Sequence, residues 1–214
     1  MSKTEPSRWK SDFTGIGTAE EQQMAAQAIV DYLHEQHGPL NPQFPYLKVR
    51  SVKIANAVAS EMKLAADERQ EIEKSLTTIF KMVEHDLFAD RPSSSYQQWP
   101  TDLIVSPYSH TWSTLETVTS ATAAVPAGIL CWSTVFIICP GKHTQVYSVE
   151  IIAYPPSGGV LKAVGSGSSA LYMQSQVDPS YYTLEKERNM KALVAASADA
   201  ANQWIAAWEA TSQR

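Results

Sequence analysis

The residues of this chain whose spacing could do chemistry are its histidines, cysteines and glycines, and each set stops short of a complete catalytic pattern. His34-Glu-Gln-His37 puts two imidazoles at i, i+3 near a helix end. Two ligands on one helix can start a metal site. The zinc-protease pattern H-E-x-x-H is longer by one residue, however, and histidine is favoured at a helix C-terminus on electrostatic grounds alone. His85-Asp86 and His110 would need a nucleophile, and no G-x-S-x-G elbow singles out a serine. Gly165-Ser-Gly-Ser-Ser169 has the glycines of a phosphate loop but no following Lys, and it lacks the third glycine of a dinucleotide fingerprint. A bent β-strand is the better reading. Cys131 and Cys139 form no C-x-x-C pair. Both sit in apolar sequence, where cysteine is usually inert, and a disulfide is open if the protein is exported. The expectation is no catalytic residue, no metal ligand and no cofactor.

The chain of 214 residues suits one large domain or two small ones. Apolar residues make up 44%, enough for a sizeable core, and charged residues only 18%, below the usual ~25%. The net charge of −5 and the lack of any basic block argue against nucleic acid, whose affinity comes from Lys and Arg neutralising phosphates. Residues 1–10 are polar and contain no apolar core of a signal peptide. Two readings stay open: a cytoplasmic protein, or a mature form whose export signal was trimmed.

Between Pro92 and Tyr182 there are six charged residues out of 39 in the whole chain. The pattern divides the chain into a charged helical front, a neutral β-rich middle and a helical tail. Residues 1–17 read as an extended arm ending at Gly15-Ile-Gly17. Residues 18–214 read as a single domain. A helix starts at Thr18 with Glu21 completing a capping box, carries Met24, Ala25, Ala28, Ile29, Tyr32 and Leu33 on one face, and ends at Gly38-Pro39. Tyr46 to Val58 reads as a strand whose alternation changes parity at Arg50-Ser51, which predicts a bulge or burial on both faces. Asp67 is expected to cap a second helix with the stripe Ile72, Leu76, Ile79, Phe80, Val83, Leu87. Leu103 to Val105 reads as a short strand stopped by Pro107, and Trp112 to Thr119 as a strand rich in Thr and Trp. Val146–Tyr154 and Val160–Met173 form a hairpin about Pro155 to Gly159, with Gly165 and Gly167 weakening the return strand. The last helix runs from Leu184 to Trp208, with Thr183 as cap. The fold class expected is α/β (α+β), in the order α-β-α-β-β-β-β-α, with a mixed sheet packed by two or three amphipathic helices.

The segment 117–141 contains no charge, and its centre is the most apolar stretch of the chain. Three readings compete: two short buried strands, a membrane-dipping loop or hairpin anchored by Trp132, and a transmembrane helix, for which ~20 apolar residues are barely present. Ile129, Leu130, Trp132, Val135, Phe136, Ile137 and Ile138 are the candidate membrane or partner contacts. Trp204 and Trp208, one turn apart on the last helix, read first as core and second as partner contacts.

Val49-Arg-Ser-Val-Lys-Ile-Ala-Asn56, followed by a capped helix ending in Val83-Glu-His-Asp-Leu-Phe88, resembles the opening of bacterial envelope lipoproteins of the TolB-N-terminal and penicillin-binding-protein-activator type. Ile129 to Pro140 followed by Tyr147-Ser-Val-Glu-Ile151 is similar to a group of outer-membrane lipoproteins with an apolar segment before such a strand. The chain departs from that pattern in having no signal peptide or lipobox cysteine. The resemblance implies a non-enzymatic α/β domain at the periplasmic face of a membrane. It would be an accessory or structural component of an envelope assembly, with protein partners and a possible membrane surface, and it brings no catalytic residues. The alternative is a cytosolic small-molecule-binding domain or enzyme without a recognisable motif.

Overall fold

A computed structural model describes residues 13–91, 97–112, 141–173 and 181–212. Its elements are α1 (Ala19–His37), β1 (Tyr46–Ile54), α2 (Asn56–Glu61), α3 (Ala66–Leu87), β2 (Gln98–Trp112), β3 (Gly141–Ala153), β4 (Leu161–Met173) and α4 (Tyr181–Ser212). The strands form one sheet in the order β1-β2-β3-β4, parallel between β1 and β2 and antiparallel thereafter. This is the α+β class with a mixed sheet. The helices lie on one face: α4 along β4 and β3, α3 on β1, and α1 against α3 and α4.

Local chemistry accounts for most element ends. Thr18 Oγ1 accepts the Glu21 N–H at 3.1 Å, and Glu21 Oε2 accepts the Thr18 N–H at 3.1 Å, closing the expected capping box. Gly38, at φ 62°, ends α1 and donates to the His34 carbonyl at 2.8 Å. The face of α1 differs slightly from expectation: Ala25, Ala26, Ile29, Val30 and Leu33 are buried, whereas Met24 and Tyr32 are exposed. The parity change in β1 is a bulge, seen as a register shift between Val49 and Ser51. It lets Val49, Val52 and Ile54 all face the helices while Lys53 faces out.

Five boundaries differ from the sequence reading, each for a physical reason. The expected arm is partly core: Phe13 and Ile16 are fully buried, Phe13 meets the Tyr147 ring edge-on at 6.5 Å, and Asn189 Nδ2 donates to the Thr14 carbonyl at 3.1 Å. β1 stops at Ile54, and α2 follows where a longer strand was expected. α3 begins two residues early, with Glu68 Oε2 accepting the Ala65 N–H at 2.9 Å, so Asp67 lies within the first turn rather than at the cap. β2 runs straight through Pro107. Its pairing to β1 ends at Ile54–Val105, so beyond that point one side of β2 has no ladder for the missing N–H to break. α4 starts at Tyr181, which places Thr183 inside the helix. The predicted strand from Trp112 to Thr119 lies outside the described residues, apart from Trp112, which ends β2.

Two contacts hold the layers together. Glu84, buried on α3, accepts from Tyr46 Oη at 3.0 Å, Lys48 Nζ at 2.9 Å and the Val49 N–H at 2.9 Å. One carboxylate therefore joins α3 to β1, and removing it would strand the buried Tyr46 hydroxyl and Val49 amide at about 1–3 kcal/mol each. The same carboxylate holds the Lys48 ammonium above its usual pKa through hydrogen bonding and charge.

The second contact is steric. A Cβ on Gly165 would lie 2.0 Å from the Ala200 nitrogen, and one on Gly167 would lie 2.3 Å from the Ala196 nitrogen. The two glycines thus admit the α4 backbone directly onto β4, and Ala192, Ala196 and Ala200 are fully buried there. They are spacers for a helix rather than weak points of a strand. Gly165→Val should lower stability by at least about 3 kcal/mol or prevent folding, because the clash is with backbone. Val164→Ala, on the neighbouring outward position, should cost about 0.5 kcal/mol or less. Urea unfolding midpoints of the two variants provide the comparison.

Candidate functional site

Alternation along each strand gives the sheet a second face that no described helix covers. Strand pairing arranges this outer face in rows. At the turn end lie Ser51, Asp102, Ile152 and Lys162, and next to them Lys53, Ile104, Glu150 and Val164. Beyond these come Ser106, Ser148 and Ser166, then Tyr108, Val146 and Ser168. Of these four rows only the first two carry charge, and the half-exposed Tyr108 lies in the fourth; farther on, Lys142 pairs with Trp112 at the end of the ladder.

The charged end is tightly paired. Arg50 Nε donates to Asp102 Oδ1 at 2.9 Å, Arg50 Nη2 donates to Asp102 Oδ2, and Ser51 Oγ donates to Oδ1 at 2.8 Å. The same guanidinium sits over the Tyr154 ring, 4.9 Å from its centroid. The Arg50 hydrogen bond, ahead of burial, which opposes it, holds the Asp102 carboxyl below its ordinary value. Glu73 on α3 accepts from Arg69 Nε at 2.9 Å, the Ile54 N–H at 3.1 Å and Lys53 Nζ at 3.2 Å. Burial pushes Glu73 up, but these donors outweigh it and leave its carboxyl lowered. Arg69 Nη2 also donates to the Ile54 carbonyl and to Asn56 Oδ1, both at 2.9 Å. Between these groups runs an open cleft of about 580 Å³. Its ionic groups are mutually neutralised, so it offers polar shape more than net charge.

At the other end the β2–β3 ladder continues as far as Trp112–Lys142. The two ends of the segment that follows Trp112 and precedes Gly141 are therefore held side by side. The seven expected contact residues Ile129, Leu130, Trp132, Val135, Phe136, Ile137 and Ile138 fall in that segment, outside the described residues, as do both cysteines.

Trp204 and Trp208, read first as core and second as partner contacts, are core. They are 1% and 7% exposed. Both meet Phe44 edge-on, at 5.4 and 5.1 Å, and Trp204 meets Trp99 at 5.9 Å. Their rings are enclosed by the core and present no surface to a partner. Of the histidines considered for chemistry, His37 shares a 2.6 Å hydrogen bond with Asn202 and so ties α1 to α4. His85 pairs with its exposed neighbour Asp86 at 2.8 Å. Among the described residues no group of three or more His, Cys, Asp or Glu converges as metal ligands would. The sequence reading missed the Arg50–Asp102–Tyr154 cluster. Its only advance signal was cationic residues alternating with apolar ones in β1.

No family model matches the chain, and no curated protein matches it. Among solved structures, one from Helicobacter pylori, provisionally described as a neuraminyllactose-binding hemagglutinin homolog, aligns over 83% of this chain and 97% of its own, at 10% identity and a TM-score of 0.33. At that similarity nothing is transferred from it.

Asp102 and Glu73 have folded-state pKa values below their ordinary 3.8 and 4.5. They stabilise the fold above those values, and the contribution is lost as pH falls through the lowered ones. Asp102→Asn should therefore be less stable than wild type at neutral pH and lose less between about pH 5 and about pH 2. Parallel urea-midpoint curves against pH would contradict this.

Proposed function

We propose that this chain is a non-enzymatic accessory or structural component of a bacterial envelope assembly, acting by contact through the segment between β2 and β3. The carrying observation is geometric. A long antiparallel ladder brings Trp112 and Lys142 into register, so the uncharged apolar segment 117–141 leaves from and returns to one end of the sheet. The rows of Ser106 and Tyr108 lie between the ion-paired rows and that end. A contact element of protein or lipid needs such an uncharged, apolar surface on a stiff support. The residues that resemble envelope lipoproteins point to the same setting. Among the described residues no helix is long and apolar enough to cross a membrane.

The test is excision. Residues 113–141 are replaced by Asn-Gly, a two-residue turn suited to closing an antiparallel ladder. The excised chain should unfold cooperatively at a urea midpoint close to wild type. Wild type should float with liposomes of neutral or anionic lipid or self-associate on a sizing column. The excised chain and a Trp132→Ser, Phe136→Ser variant should do neither. An excised chain that fails to fold would show the segment to be core. A wild type that is monomeric and indifferent to liposomes would remove the support for a contact role.

A further inference from the structure

Between the helices and the inner face of the sheet lies a cavity of about 100 Å³. Its walls include Leu33, Phe44, Phe80, Leu103, Ala201 and Trp204. The few polar groups in the lining are almost all engaged. Both Glu84 oxygens are taken by the three donors already described, Thr101 Oγ1 donates to the Trp99 carbonyl at 2.9 Å, and Ser197 Oγ donates to the Leu193 carbonyl at 2.7 Å. The exception is Trp204. Its ring lines the cavity, and its indole N–H is buried without a partner among the described residues. Buried donors are nearly always satisfied, and apolar cavities take apolar guests: one of ~150 Å³ accepts benzene.

One loop forms part of the cavity wall. Gly38 to Phe44 crosses beside it, and Leu40 and Phe44 of this loop are lining residues. Arg91 holds the loop by donating to the carbonyls of Leu40 at 2.6 Å, Asn41 at 2.8 Å and Phe44 at 3.0 Å. Releasing one side chain would loosen the wall without disturbing the sheet.

We infer that this cavity is a binding site for one small uncharged molecule, mostly carbon, whose single acceptor oxygen takes the Trp204 indole N–H. By the same comparison the volume admits about four heavy atoms, as in acetone. The lining holds no Lys or Arg to neutralise a carboxylate, and a cation would find only the already engaged Glu84. The site is independent of the contact role proposed above, since it lies on the opposite face of the sheet.

The test uses the full chain labelled with ¹⁵N and titrated with acetone. The Trp204 indole signal, identified by its loss in Trp204→Phe, should move saturably. 2-Methylpropane, of the same heavy-atom count without the oxygen, should bind about fivefold more weakly, the value of one neutral hydrogen bond. Ala201→Leu fills the space and should abolish the shift while keeping a wild-type amide spectrum. Ser197→Val serves as the second filled variant should the first not fold. No saturable shift, a shift that survives filling in a folded variant, or equal affinity for the two probes would overturn the inference.

Discussion

The packing of α4 directly on β4 is the constraint from which the rest of the architecture follows. Helix and strand approach to backbone distance only because Gly165 and Gly167 carry no Cβ and Ala192, Ala196 and Ala200 carry little more. A helix seated that low on one side of the sheet, with α3 on β1 at the other side, leaves α1 to bridge the two helices rather than to rest on a strand. The space beneath α1 is then filled by large side chains from farther away. Phe44, Trp99, Trp204 and Trp208 interlock there by edge-on contacts. Aromatic rings fill such a gap well but leave residual volume where their edges fail to mesh. The close approach at β4 and the cavity beneath α1 are in this sense two results of one uneven helical layer.

The Glu84 hub answers a different need. A parallel β1–β2 pair places the start of β1 beside the last turns of α3. The bulge at Val49/Ser51 interrupts regular pairing at the same place. The Val49 N–H goes to the Glu84 carboxylate. A buried acid is costly without donors. Here a phenol, an ammonium and a backbone amide surround it, and the arrangement fixes both the bulge and the pitch of α3.

How much of this could be read from the sequence depends on how local each cause is. The capping box at Thr18, the stripe of α3, the bulge in β1 and the β3–β4 hairpin were legible because each is set by residues a few positions apart. The run of β2 through Pro107 was not, since it depends on where β1 happens to end. Glu84 sat among the polar residues of an amphipathic helix, and its burial is decided by partners 35 to 38 residues away. Gly165 and Gly167 read as weak points because the reason for them, the α4 backbone, comes some thirty residues later. The small residues at four-residue intervals in α4, Ala192, Ala196 and Ala200, were the available signal. The outer face was legible only in part: alternation identified which residues face outward, but the grading of charge along the rows appears only when four strands are set in register.

That grading suggests how the molecule divides its work. The inner face carries the core and therefore tolerates little change, as the backbone contacts at Gly165 and Gly167 illustrate. The outer face carries its ion pairs at the turn end, where each charge has a partner within the sheet or on α3. An ion pair that is already satisfied stiffens the sheet and gives little attraction to a partner. Holding a long segment by two paired strands also lowers the chain entropy its ends would otherwise spend in finding each other. Stability is thus concentrated where α4 meets β4.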